Sequence, residues 1–276
     1  MKGEKIRKGI LYIILTFFAL IVMLPIIMLF LSAIRNTSEF YSKLNLLSIP
    51  EKICWDNFSK AWMNGKLFLY MKNGAIVTLI KVPLGILIAS MCAYAITRLD
   101  IPFANGLFVI ILAGMMLPRQ MTLIPLNILY SRLKLNNTYF CLIFTYLGFG
   151  VSLGTLVFRG FFRSIPKELD ESARIDGAGK YQIYARIIMP IAKPAVSTMV
   201  ILDFLSTWNE FMVQSVLITK DTMKTVPFGL LTFIGEYSMD YGLLSAGVLI
   251  SIIPVFIVYL IFQKNFIQGM AGAVKG

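Results

Sequence analysis

Six long apolar runs, separated by short polar clusters, set the pattern of this chain. They cover residues 9 to about 34, 75–97, 103–118, 139–158, about 195–219 and 241–262. The third run leaves open a continuation to residue 130. A helix needs about 20 largely apolar residues to cross a bilayer, so each run predicts a transmembrane helix. The first run follows Lys2, Lys5, Arg7 and Lys8, a basic start that a signal peptide shares. A signal peptide would have an apolar stretch of only about 7–15 residues ending in small residues. This run is longer and ends Phe30-Leu31-Ser32-Ala33-Ile34, so an uncleaved anchor is expected.

Pro25, Pro83, Pro118, Pro125 and Pro254 fall within or beside the runs. Membrane helices tolerate proline because neighbours satisfy the freed carbonyls, and kinked helices are expected. Two polar stretches interrupt the pattern. Residues 35–74 contain Trp55, Phe58, Trp62 and Phe68, and residues 159–193 contain much of the charge. Basic residues concentrate in cytoplasmic segments. With the N-terminus inside, the cytoplasmic side receives the basic start, Arg98, the 159–193 cluster, Lys264 and Lys275. The expected architecture is an all-α polytopic membrane protein with six transmembrane helices and both termini cytoplasmic. Residues 1–276 form a single domain on this reading, with 35–74 as an external loop. There is no fixed-period repeat and no low-complexity tract.

Composition agrees with lipid as the solvent. Hydrophobic residues make up 58% of the 276 positions and charged residues 14%, against about 25% charged in soluble domains. A net charge of +12 would suit nucleic acid if it formed one polar surface. Here the basic residues flank apolar runs, as headgroup anchors do, so no nucleic-acid partner is expected. Cys54, Cys92 and Cys141 have no metal-like spacing, and histidine is absent. The commonest general base and metal ligand is therefore missing. No phosphate-binding Gly-x-x-x-x-Gly-Lys-Ser/Thr loop is present. The chain is expected to be neither an enzyme nor a holder of cofactors.

Residues 164–190 carry the richest local signal. Ser164 suits an N-cap and Pro166 a first helical position. Glu168, Asp170 and Glu171 crowd the first turn, where the helix dipole favours acid. Asp170 and Arg174 stand four apart, a spacing that supports a helix. Gly177 suits the left-handed position beyond a helix end. Ile165, Leu169 and Ala173 form a narrow apolar stripe, with Asp170 expected to face solvent. A second amphipathic piece runs from Lys180 to Met189, and Pro190 ends it. Such a helix either lies on headgroups or docks into a groove on a partner. Four carboxylates, with Asp176 the fourth, argue against an anionic leaflet.

Glu171-Ser172-Ala173, three residues, Gly177, nine residues and then Ile187-Ile188-Met189-Pro190 resemble the EAA loop of ABC-importer permeases. The family pattern has Ala at the position of Ser172 and Leu at that of Met189. Other stretches resemble the carbohydrate-uptake permeases, on the side of the smaller six-span subunit of maltose-type importers. They are Met116-Leu117-Pro118, Ile124-Pro125-Leu126, Leu135-Asn136-Asn137-Thr138, Arg159-Gly160-Phe161-Phe162, Trp208-Asn209-Glu210-Phe211 and the ending Gly272-Ala273-Val274-Lys275-Gly276.

The resemblance implies a pore made with a second permease and two ATPase subunits that hold ATP-Mg on the cytoplasmic face. It also implies an extracytoplasmic sugar-binding protein and a bacterial or archaeal cytoplasmic membrane. Glu168, Leu169, Glu171, Ala173, Arg174, Asp176, Gly177, Ile187 and Pro190 would form the coupling element, and residues 272–276 would reach between the ATPases. A type I alternating-access cycle would follow.

Inside the runs, Lys81, Arg119, Asp203 and Glu210 are ionisable. Charges at such depth face the bundle interior or a water-filled path. They either pair structurally, as Asp203 with Lys81 or Arg119, or line the pore together with Trp208 and Asn209. Trp208 also suits an interfacial anchor. An importer of a non-sugar solute remains open, because the EAA loop is shared across cargo classes. An ATP-independent secondary transporter would leave the EAA spacing unexplained. No catalytic constellation speaks for a membrane enzyme.

Overall fold

The computed structural model describes residues 2–42, 47–235 and 239–273. Among the described residues the regular elements are all helical, apart from one isolated β-bridge between Ile234 and Met239. Four helices are long and apolar enough to cross a membrane by themselves. They lie within α1 (Lys2–Ala33), α4 (Leu67–Arg98), α7 (Tyr139–Ser164) and α14 (Tyr241–Ala273). Short helices α2 (Thr37–Ser42) and α3 (Asp56–Met63) lie between α1 and α4. Between α4 and α7 come α5 (Ala104–Met116) and α6 (Arg119–Arg132).

After α7 the chain forms α8 (Glu168–Ile175) and α9 (Lys180–Ile183), then a π-helical turn over Tyr184–Ile188. α10 (Met189–Ile191), α11 (Lys193–Trp208), α12 (Met212–Leu217) and α13 (Val226–Gly229) follow.

Two of the six expected spans are bent pairs, which restores six crossings when each pair counts as one. α5 and α6 meet at 92°. α5 has 13 residues, about 20 Å at the α-helical rise, short of a hydrocarbon core about 30 Å thick. The third run therefore does not continue straight to 130. Leu117 is extended (ψ 120°), as a residue before proline tends to be. The second bend, 77°, lies between Lys180–Ile191 and α11. The fifth run is not one helix over 195–219 either, because α11 stops at Trp208 and α12 begins at Met212. Pro25, Pro83 and Pro254 sit inside continuous helices.

The expected external loop 35–74 is shorter than the sequence suggests, because α4 already starts at Leu67. The expected cytoplasmic loop likewise gives up residues 159–164 to α7.

The packing divides into two units. One comprises residues 1–68 and 229–253. Its core joins Ala33, Ala61, Phe233 and Ala246. Arg35 is fully buried there and donates from Nη2 to the Ser48 carbonyl (2.5 Å) and hydroxyl (3.0 Å). Asn57 donates to the carbonyls of Ala33 (2.8 Å) and Arg35 (2.9 Å). These bonds satisfy the carbonyls left open at the end of α1. In α1 the most apolar window is not buried at all within the chain, as expected of a helix whose solvent is lipid.

The other unit comprises residues 69–228 and 254–276. Its core gathers Val77, Tyr130, Leu142, Tyr146, Val213 and Leu217 among others. α4 and α7 approach closely through small residues, as membrane helices do. A Cβ on Gly154 would stand 2.7 Å from that of Ala89.

Candidate functional site

Both sites foreseen in the sequence lie in the second unit. The first is the loop after α7. Ser164 does not cap α8, because it closes α7, and its hydroxyl donates to the Phe161 carbonyl at 2.7 Å. Lys167 takes the N-cap position, without a side-chain cap bond. The C-terminal end of α8 is built as expected. Gly177 has φ +82°. Its N–H bonds the Arg174 carbonyl (3.0 Å), and the Ala178 N–H bonds the Ala173 carbonyl (2.9 Å). That pair of bonds is the Schellman arrangement, which calls for glycine at the left-handed position. Nothing lies within 4 Å of where a Gly177 Cβ would be, so inside the chain only the backbone demands glycine.

The face that α8 buries differs from the expected stripe. Asp170 and Ala173 are buried, whereas Leu169 is 41% exposed. Asp170 does not face solvent and is not salt-bridged to Arg174. It is paired to Arg98 at the end of α4, Nη1 to Oδ2 at 3.2 Å. Arg98 also donates to the carbonyls of Ile165 (2.5 Å) and Phe162. The reason is packing: α4 brings a cation whose charge outweighs a solvent-exposed i,i+4 contact. Glu168, Glu171, Arg174 and Asp176 are exposed.

Beyond the turn, Tyr94 donates to the Lys180 carbonyl (3.1 Å), and the Ser90 and Tyr184 hydroxyls are 2.8 Å apart. Ile188 is fully buried, Ile187 half-buried and Pro190 exposed. Ile175 (86%) and Tyr181 (80%) stand out as bare apolar groups. Of the expected tail, Gly272 and Ala273 close the backbone of α14, and Val274, Lys275 and Gly276 lie outside the described residues.

The second site is a polar cleft. Lys81 on α4 is ion-paired to Asp203 on α11, both side chains nearly sealed from solvent. Gly150 and Gly85 make room for the pair. A Cβ on Gly150 would stand 2.8 Å from Lys81 Nζ, and one on Gly85 would stand 3.2 Å from the Asp203 carboxylate. An open cleft of about 570 Å³ lies beside them, lined by Asp203, Ser206, Leu202, Phe149 and Arg119. The Arg119 guanidinium lies 5.3 Å from the Phe149 ring centre.

The remaining residues of the Trp-Asn-Glu-Phe stretch hold the chain where α11 ends. Trp208 is buried and stacks on Phe204 at 5.6 Å, 11° from parallel. Its ring is therefore not an exposed platform within this chain. The Glu210 carboxylate accepts from the Tyr146 hydroxyl (2.7 Å) and from the Val213 N–H (2.9 Å). It thereby caps α12. Asn209 is exposed.

Sequence reading missed Ser90, Tyr94 and Tyr146. Tyr146 gave no signal inside an apolar run. The four-residue spacing of Ser90, Tyr94 and Arg98 was visible, but nothing in one dimension said what they touch.

A family model described as "binding-protein-dependent transport system inner membrane component" matches residues 81–272. The chain belongs to this family. Among similar permeases is the arabinooligosaccharides transport system permease of Halalkalibacterium halodurans, 32% identical over 278 residues, covering 100% of this chain and 99% of that one. Another is the diacetylchitobiose uptake system permease of Streptomyces coelicolor, 30% identical over 269 residues, covering 97% and 87%. The fold is that of a chain from a bacterial ABC transporter involved in alginate import, with a TM-score of 0.81 at 24% identity, covering 96% and 98%. The match takes in both sites of the permease.

Proposed function

We propose that this permease forms half of the pore of an ATP-driven carbohydrate importer, with α8 and its Gly177 turn as the element that docks into an ATPase. One observation carries the reading. α8 is moored on one face by Asp170 and Ala173, and its other side leaves Leu169, Ile175 and nearby Tyr181 bare beside Glu168, Glu171 and Arg174. A short helix with a fixed stop and an apolar-and-charged free face suits a groove on a partner protein.

Membership of the family supports the same reading for the rest of the assembly. A second permease completes the pore, two ATPases bind ATP-Mg on the cytoplasmic face, and an extracytoplasmic binding protein delivers the cargo. Residues 272–276 reach towards the ATPases. Carbohydrate as cargo is supported by the two sugar-uptake relatives, which match nearly the whole chain. Closure of the ATPases moves α8 as a lever, and the spans rock between inward-open and outward-open states.

The test is Gly177→Asp. A Cβ at a left-handed residue costs roughly 1–2 kcal/mol, which a membrane-embedded fold survives. Nothing in this chain lies within 4 Å of the added Cβ, so the new side chain is expected to disturb what docks on the turn. The variant is expected to insert normally and to lose uptake of radiolabelled arabino- and chito-oligosaccharides, whichever the wild type takes up. Wild-type uptake would remove the coupling role from this loop.

A further inference from the structure

Ser90, Tyr94 and Arg98 stand four residues apart, so they share one face of α4. Each holds a successive piece of the loop that contains α8. Arg98 grips Asp170 in α8 together with the Phe162 and Ile165 carbonyls at the end of α7. Tyr94 grips the Lys180 carbonyl at the start of α9. Ser90 meets the Tyr184 hydroxyl in the π turn, and the Tyr94 and Tyr184 rings are 5.3 Å apart. α4 is not a chain neighbour of the loop, since 72 residues separate Arg98 from Asp170.

We infer that α4 is a second output of the coupling loop, and that Arg98 is the positioning residue that delivers the stroke to it. This rests on the coupling role proposed for α8. The covalent route leads from α8 into α7 on one side and through α9 and α10 into α11 on the other. The polar ladder adds a third, non-covalent route.

Arg98 suits the task because its rigid planar fork can hold a carboxylate and carbonyl oxygens at once. Asp170 depends on that fork, because its other oxygen, Oδ1, is buried with no hydrogen-bond partner among the described residues. The route also ends somewhere useful. Lys81, paired to Asp203 at the cleft, lies seventeen residues before Arg98 in the same helix, about 25 Å along its axis. A displacement at the loop therefore reaches the cleft along one continuous rod.

The test uses the whole transporter, purified with its partner permease and ATPases in nanodiscs. Cys54, Cys92 and Cys141 are replaced and one cysteine is placed at Ser206 in the cleft. Its reaction with a maleimide is timed with and without Mg-ATP and vanadate, alongside the ADP trapped in the ATPases. Arg98→Leu is expected to trap ADP as the wild type does, while the ATP-driven change in cleft reactivity shrinks about tenfold, an ordinary coupling magnitude. Arg98→Lys, which keeps the charge but not the fork, should recover part of it.

An unchanged reactivity shift in Arg98→Leu, alongside a lost one in Gly177→Asp, would show that the loop drives the pore without α4. That result overturns the inference and spares the coupling role. A wild-type shift in Gly177→Asp would sink both. If Arg98→Leu lowers ADP trapping and cleft response in equal proportion, its role is only structural and the inference fails. Should Arg98→Leu not accumulate, Tyr94→Phe removes a single hydroxyl from the ladder, and a full cleft response there overturns the inference equally.

Discussion

At the scale of single residues, the buried charges decide most. Lys81 and Asp203 are sealed together between α4, α7 and α11. Removing one member of a buried pair leaves an uncompensated charge and costs about 3–5 kcal/mol, whereas replacing both with apolar groups is often neutral. Lys81→Met is therefore expected to lower the thermal unfolding midpoint of the detergent-solubilised permease sharply, and adding Asp203→Leu should restore most of it. A double variant as unstable as the single one would mean that the two charges do not act as a unit.

The sequence marked Asp203 as a charge that either pairs or lines a water-filled path, because an unpaired charge in an apolar run is costly. It could not choose between Lys81 and Arg119. The choice depends on how three helices pack and on the space left at Gly85 and Gly150. Asp170 makes the same point in reverse. Along the chain its visible partner was Arg174, and only the folded chain brings Arg98 beside it.

At the scale of elements, hydropathy located the apolar runs and missed where they break. An apolar window averages over a bend, so 195–219 read as continuous and 103–118 left a continuation to 130 open, while the chain turns at Leu117–Pro118 and interrupts its helix after Trp208. Pro118 was a usable signal. The break after Trp208 had no such signal, since Asn209 and Glu210 read as intramembrane polar residues. The structure explains them as terminus chemistry: Glu210 accepts the Val213 N–H that the start of α12 would otherwise leave open, and it holds Tyr146 on α7.

Losing a helix-capping acceptor costs about 0.5–2 kcal/mol. Glu210→Ala is thus expected to speed amide hydrogen exchange across Met212–Leu217 without changing exchange in α8, whereas Glu210→Gln, which keeps an acceptor, should change it less. Equal exchange in Glu210→Ala and wild type would show that α12 does not depend on this carboxylate. By contrast, the stop of α8 at Gly177 was legible to the residue, although its N-cap is Lys167 and not Ser164. A Schellman turn is local, so the sequence contains all of it, and only the face that α8 buries needed the rest of the fold.

At the scale of the whole molecule, the open question is which side of the membrane each polar stretch occupies. Six crossings, with each bent pair counted once, would put the two termini on the same side. Basic residues favour the cytoplasm most strongly in short segments next to spans. The loop around α8 and the adjoining ends of α7 and α11 hold Arg159, Arg163, Lys167, Arg174, Lys180, Arg186 and Lys193, while much of the opposing charge is diluted through the stretch between α1 and α4. The stretch carrying α8 should therefore be cytoplasmic together with both termini, and the stretch carrying α3 external.

Lys180 and Lys52 are both exposed, so a cysteine at either is reachable from its own side. In a chain lacking its three native cysteines, a membrane-impermeant maleimide added to intact cells, or to spheroplasts if the cells have an outer membrane, should label Lys52→Cys. It should leave Lys180→Cys untouched until the membrane is permeabilised. Labelling of Lys180→Cys from outside would invert the topology. The free face of α8 would then lie away from the ATP, and no ATPase could drive the pore through it.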